Sequence, residues 1–230
     1  SGLDQDGKPV LPEMGIATHG ESPFATTYLR FGPAIGAGVP ATDHVMYERG
    51  WRVTPTRGAE TLARVVEPYF VRSYEHFSSH FQTPPRPQPS RWAAAVQKGR
   101  VIAIAYPIFK AFGTHANLPF RMLVDNCLRQ LLPERLVEVR APSTTELTVM
   151  RQGKRTVVHL LQFVAERRTN LDIIEDVVPL HDVPLSVRLA KAPARVYLAP
   201  SQQAVACQYR KGRASVIVPV VEGHQMVVFE

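Results

Sequence analysis

"ELTVMRQGKRTVVHLLQFV" (146–164) places two apolar runs on either side of Gln152–Gly153. It reads as strand, tight turn, strand. The pattern then repeats down the chain. VPLSVRLA (183–190), ARVYLAP (194–200), AVACQYR (204–210), ASVIVPVV (214–221) and QMVVFE (225–230) are short strand-like runs. KAPA (191–194), RKGR (210–213) and VEGH (221–224) separate them as turns. Short strands at this spacing predict an antiparallel β-sandwich over residues 141–230. The boundary with the preceding region is expected near Arg140–Ser143. Residues 166–180 read as a longer charged loop with its own apolar patch, LDIIEDVV (171–178).

Upstream the grammar is mixed. Met14–Phe31 holds two strand-like runs around a Gly/Ser/Pro turn, and GPAIGAGVPATDH (32–44) is a loop by composition. His44–Pro55 and Thr61–Tyr74 read as strands joined by the turn TRGA (56–59), which predicts a hairpin. Pro84, Pro85, Pro87 and Pro89 form an extended connector. In WAAAVQKGRVIAIAYPIF (92–109), Lys98–Gly99 marks a second hairpin, and VIAIA (101–105) has the character of a strand buried on both faces. The Ala-rich arm before it is compatible with either strand or helix. Asn117–Leu132 is the clearest helix. Asn117 can cap it, Pro119 sits in its first turn and Pro133 ends it. Phe120, Leu123, Val124, Cys127, Leu128 and Leu131 make its apolar stripe, expected to lie against VIAIA.

A chain of 230 residues has room for one large domain or two small ones. Its apolar share of 45% and charged share of 20% are those of a globular protein. No apolar run reaches transmembrane length, and no signal-peptide pattern opens these residues, so no membrane partner is expected. The opening SGLDQDGKPVLPE (1–13) reads as the interior of something longer or as a processed end. Net charge is +7, and arginine greatly outnumbers lysine. The arginines are scattered singly and no nucleic-acid-binding motif accompanies them, so a nucleic-acid partner is not expected. Cys127 and Cys207 form neither a disulfide framework nor a zinc spacing, and read as free thiols favouring a cytoplasmic setting.

YEHFSSHFQTPPRPQPS (74–90) sets His76 and His80 four apart. On a helix the two imidazoles would share a face and could hold a metal. The zinc-protease pattern needs a Glu directly after the first His, and Phe77 stands there. The segment also runs from a strand into the proline connector. A strand-end loop is expected instead, with Phe77 and Phe81 anchoring it and no metal bound; His76 and His80 are then either a structural pair with satisfied ring nitrogens or placed to face a ligand or an interface. Among carboxylates, Glu67 before Pro68 comes nearest to an acid/base setting, yet none forms the paired arrangement glycoside hydrolysis needs. There is no G-x-S-x-G, no P-loop and no G-x-G-x-x-G. GPAIGAGVP neither follows a buried strand nor opens a helix. No catalytic residue and no cofactor are assigned.

Several stretches, taken in order, resemble a known family. They are TTYLRFG (26–32), LARVVEPYFVRSYEHFSSHFQTP (62–84), AVQKGRVIAIAYPIF (95–109), RMLVDNCLRQLLP (121–133), TVVHLLQFVAERR (156–168), VVPLHDVPLSVRL (177–189), YLAP (197–200) and VPVVEGHQMVV (218–228). The succession resembles the C-terminal region of multidomain glycoside hydrolases of the α-L-fucosidase and β-galactosidase-like groups. In them a catalytic (β/α)8 barrel precedes a flavodoxin-like trimerisation domain, related to class I glutamine amidotransferases, and a β-sandwich. The resemblance implies an α+β fold class. Residues 1–140 would be the C-terminal part of a flavodoxin-like α/β domain, and 141–230 the antiparallel sandwich. It also implies partners: the barrel of the same enzyme, further copies in a homo-oligomer, and a carbohydrate substrate. The catalytic carboxylates would sit on the barrel, so none is carried onto this chain, and Cys127, mid-helix, does not fit an amidotransferase nucleophile. The expected role is assembly, with loop residues lent to a neighbour's sugar site. Tyr28, Arg30, Arg72, His76 and His80 are the candidate sugar- or interface-facing residues. A stand-alone carbohydrate-binding or protein-interaction module is the alternative, and an amidotransferase-like α/β hydrolase the third.

Overall fold

Residues Ala93–Val96 are all buried, and their strand lies inside the first sheet. The computed structural model describes residues 2–4, 6–168 and 170–230, which divide into two units, Ser1–Pro133 and Glu134–Glu230. The first unit has seven strands: β1 (Ile16–Glu21), β2 (Thr27–Phe31), β3 (His44–Met46), β4 (Trp51–Pro55), β5 (Glu60–Val66), β6 (Ala93–Lys98) and β7 (Val101–Ile104). Helices α1 (Ile108–His115) and α2 (Leu118–Leu131) follow. The sheet runs β1-β4-β6-β5-β2-β3, with β7 also pairing β6.

β6 explains this arrangement. Ala94 and Ala95 pack into the core that holds Phe120, Leu123 and Cys127 of α2. Ala93 and Val96 join a second core with Ile16 and Val53. A strand covered on both faces reads as a continuous apolar run, so the Ala-rich arm is strand and not helix. The same character was expected of VIAIA. Only Ala103 in it is fully buried, because β7 pairs with β6 alone and lies at the margin. Accordingly, Ile102 and Ile104 only flank the core beneath α2.

Other expectations need correction. β4 and β5 do not form a hairpin, since β6 lies between them. The strand expected over Thr61–Tyr74 stops at Val66, where Glu67–Pro68 breaks the ladder. His44–Pro55 splits into β3 and β4 around Gly50. A Cβ at Gly50 would stand 2.4 Å from the Tyr106 ring, so the backbone there must come too close for any side chain. Asn117 precedes α2 but makes no capping bond; its side-chain amide points to the Val45 carbonyl at 3.5 Å. Leu128 of the expected stripe is exposed. The flavodoxin-like expectation is also corrected. Every pairing in this sheet among the described residues is antiparallel. A flavodoxin-like sheet is built of parallel strands joined by helical crossovers.

The second unit contains β8 (Val137–Val139), β9 (Thr145–Gln152), β10 (Arg155–Gln162), β11 (Glu166–Arg168), β12 (Leu171–Ile173), β13 (Leu180–Arg188), β14 (Val196–Ala199), β15 (Cys207–Arg210), β16 (Arg213–Val221) and β17 (Gly223–Phe229). Two four-stranded antiparallel sheets, β14-β17-β10-β9 and β15-β16-β13-β8, share one core. Val158, Leu160, Val227 and Phe229 from one sheet meet Val183, Leu185, Val187 and Val218 from the other. Alternation along β13 and β16 puts every second side chain inside. This is the sandwich that residues 146–164 announce. It begins earlier than Arg140–Ser143, because β8 is an edge strand of its second sheet. The region expected as a loop at 166–180 holds the small hairpin β11–β12. Among the described residues no helix is long and apolar enough to cross a membrane.

Candidate functional site

Between β5 and β6 the chain leaves the sheet, runs through residues 69–82 without helix or strand, and returns. Its neck is closed by backbone. Pro68 bridges Pro85, the Tyr69 amide donates to the Pro84 carbonyl at 3.2 Å, and the Arg86 amide donates to Glu67 at 2.9 Å. The Arg86 guanidinium adds bonds to the carbonyls of Pro68 and Tyr69 at 3.3 and 3.2 Å.

Two expected site residues hold this neck. Tyr28 and Arg30 are alternate residues of β2 and so share a face. The Tyr28 hydroxyl donates to the Thr83 carbonyl at 2.7 Å. Burial, with Tyr47 and Asp43 adding to it, raises the Tyr28 pKa, which keeps the phenol a donor. Arg30 makes a two-pronged pair with Asp43 at 2.7 and 2.8 Å and reaches the Pro87 carbonyl at 3.2 Å. These groups face the connector, with their bonds already satisfied inside the chain.

The other three candidates lie in the loop. Arg72 spans it, donating to the Phe81 carbonyl at 2.7 Å. A tight turn follows, in which the Ser73 amide donates to the His76 carbonyl at 2.7 Å. His76 and His80 are both exposed. Because the segment is not helical, a spacing of four does not put their imidazoles on one face. The His76 ring lies 5.9 Å from that of Phe70. Phe77 and Phe81, expected as anchors, stand 71% and 78% exposed, although Phe81 still touches Tyr47 edge-on at 6.2 Å. Tyr74 is 98% exposed. Beneath the loop is a cavity of about 130 Å³ lined by Phe24, Thr26, Phe70, Arg72, Phe81 and Thr83, among others. The buried Thr83 hydroxyl has no hydrogen-bond partner among the described residues. The arrangement offers exposed rings for stacking, imidazole and guanidinium groups for hydroxyls, and an unsatisfied hydroxyl at its root.

Sequence reasoning passed over Tyr69, Phe70, Tyr74 and Thr83. For the three aromatics the signal is present: YFVRSYEHF (69–77) is aromatic without the alternation of a half-buried strand. Removing the neck bond gives a direct check. Tyr28→Phe should cost about 1 kcal/mol. The Tyr69 and Arg86 amides should then exchange with solvent roughly fivefold faster, read by hydrogen exchange.

The likeness to the C-terminal region of glycoside hydrolases of the α-L-fucosidase and β-galactosidase groups holds in three dimensions. The chain is similar over its whole length to α-L-fucosidase isoenzyme 2 from Paenibacillus thiaminolyticus, with 31% identity and a TM-score of 0.92. It spans 35% of that protein's length. A β-galactosidase from Rahnella sp. R3 shares the fold at a TM-score of 0.50 and 11% identity, over 99% of this chain and 27% of that one. No protein-family model and no curated protein matches the chain.

Proposed function

We propose that this chain is the C-terminal accessory and assembly region of a larger glycoside hydrolase of the α-L-fucosidase or β-galactosidase type. The observation that carries this reading is the whole-chain likeness to the fucosidase at 31% identity, over only 35% of its length. The catalytic carboxylates belong on a (β/α)8 barrel elsewhere in the enzyme, and the chain works in a homo-oligomer acting on carbohydrate. The loop at 69–82 docks on a neighbouring surface and lends Arg72, His76 or His80 to a sugar site. Its exposed rings support this role, since an apolar cluster held out on a tethered loop is costly unless it is covered. Tyr28 and Arg30 position the loop and do not themselves face the sugar. Cys127 and Cys207, both free, suit a reducing cytoplasm.

The test uses the complete enzyme. His80→Ala should lower sugar turnover or loosen assembly, while a chelator should change neither. Full turnover and unchanged oligomer size in the His80→Ala and Arg72→Met variants would refute the loop's role.

A further inference from the structure

Residues 163–168 and 170–178 cap one end of the sandwich. Leu171, Ile174 and Val178 are 67%, 50% and 58% exposed, with Phe163, Ile173 and Val177 also exposed beside them. Among the described residues β11 and β12 pair only with each other, and a lone two-stranded hairpin is marginal in water. The cap is nonetheless seated. Gly223 opens β17 at φ +69°, and a Cβ there would stand 3.0 Å from the Phe163 ring and 3.7 Å from Val177. Four carboxylates and two arginines share the segment. Arg168 is held by Glu166 and Glu175, and Asp176 and Asp172, the latter across the hairpin from Arg167, are exposed.

The strand register places the opposite charge at the other end. Gln162 pairs with Gly223 next to the cap, whereas Arg155 pairs with Gln152 at the far end of the same ladder. In the second sheet Leu180, just after the cap, pairs with Val221, and Arg188 pairs with Arg213 at the far end. The far turns therefore carry Arg151, Lys154, Arg210 and Lys211. All four are exposed, and none makes an ion pair among the described residues. Met150, also exposed, adds apolar surface beside Arg151.

The geometry points to a head-to-tail contact in which the acidic, apolar cap of one copy docks on the basic end of a second copy. Cap against cap would bring carboxylates together, and the chain itself carries the complementary surface. Aliphatic stems of lysine and arginine can cover the cap's apolar side chains while their charges meet Asp172 and Asp176. Such a heterologous contact closes into a ring or continues as a filament. It builds on the assembly role proposed above but can fail independently of it.

The test is sedimentation velocity on the whole 230-residue chain at low and high salt. A cap variant carries Asp172→Lys and Asp176→Lys. An end variant carries Arg151→Glu, Lys154→Glu, Arg210→Glu and Lys211→Glu. Wild type should self-associate at low salt and dissociate at high salt. Each variant alone should associate at least about tenfold more weakly, and mixing the two in equal amounts should restore the assembly, because lysines then meet glutamates. Leu171→Ser should weaken association without changing its salt dependence. A monomeric wild type, variants that associate like wild type, or a mixture that stays monomeric would each overturn the contact. An enzyme that loses turnover through His80→Ala while this chain stays monomeric would overturn the contact alone and leave the glycoside-hydrolase reading standing.

Discussion

Phe120→Ala is expected to remove about 3–5 kcal/mol from the first unit. Phe120 is 1% exposed and is among the largest fully buried side chains. It brings α2 into the core with Leu29, Leu62 and Ala94, and its ring lies 6.5 Å from that of Phe31. The alanines of β6 have no longer side chains to move into the space, so the cavity stays open and adds to the lost transfer energy. Both tryptophans, Trp51 and Trp92, lie in the first unit. Their fluorescence during urea unfolding therefore reports that unit by itself. The midpoint should fall for Phe120→Ala, and by much less for Phe120→Leu. A midpoint within about 0.5 kcal/mol of wild type for Phe120→Ala would mean that α2 does not pack as described.

The two units were not equally legible in the sequence. In the second, alternation along β13 and β16 and the Gly153 and Gly212 turns point the same way, because local pattern and long-range packing agree. In the first, local pattern ranks the strands wrongly. VIAIA looks more buried than AAAV because Ile and Val are more apolar than Ala. Burial there is set instead by how closely the layers on both faces of β6 approach, and close approach selects Ala. Nothing local says that β6 inserts between β4 and β5, since one turn-linked pair of strands looks like another. The overlong strand at 61–74 has the same origin: aromatic and β-branched residues continue past Pro68, and propensity does not distinguish a strand from an exposed loop rich in rings.

The site was legible as a segment and not as a set of roles. Residues 72–80 drew notice through their histidines, and the loop does stand out from the sheet. The chemistry that marks Tyr28 and Arg30 as sugar- or interface-facing residues in the sequence also fastens the neck in the fold. Which use a hydroxyl or a guanidinium serves depends on the carbonyl it meets, and Thr83 and Pro87 are 55 and 57 residues away in sequence. The Thr83 hydroxyl had no sequence signal, because its isolation follows only from where the loop closes.

The second large effect is alkaline. Tyr106 is buried against Gly50, and burial pushes its pKa up to about 12 from the usual 10, with the Thr27 hydroxyl beside it pulling the other way. The sign follows from linkage. Between pH 10 and about 12 the unfolded phenol has lost its proton while the folded one keeps it, so the unfolded state gains relative stability. Tyr106 thus contributes fully below pH 10, and that contribution disappears as pH rises through about 12, by about 3 kcal/mol. Tyr28, raised by burial in the same direction, acts with the same sign. Tyr106→Phe keeps the ring and removes the titration. Urea unfolding followed by tryptophan fluorescence should show wild type losing stability steeply above pH 10, and Tyr106→Phe losing about 2–3 kcal/mol less. The lysines and arginines are the same in both proteins, so the difference between the two profiles isolates the phenol. Parallel profiles from pH 9 to 12 would show that Tyr106 is not held in its protonated form, and that the close contact at Gly50 does not exclude water from it.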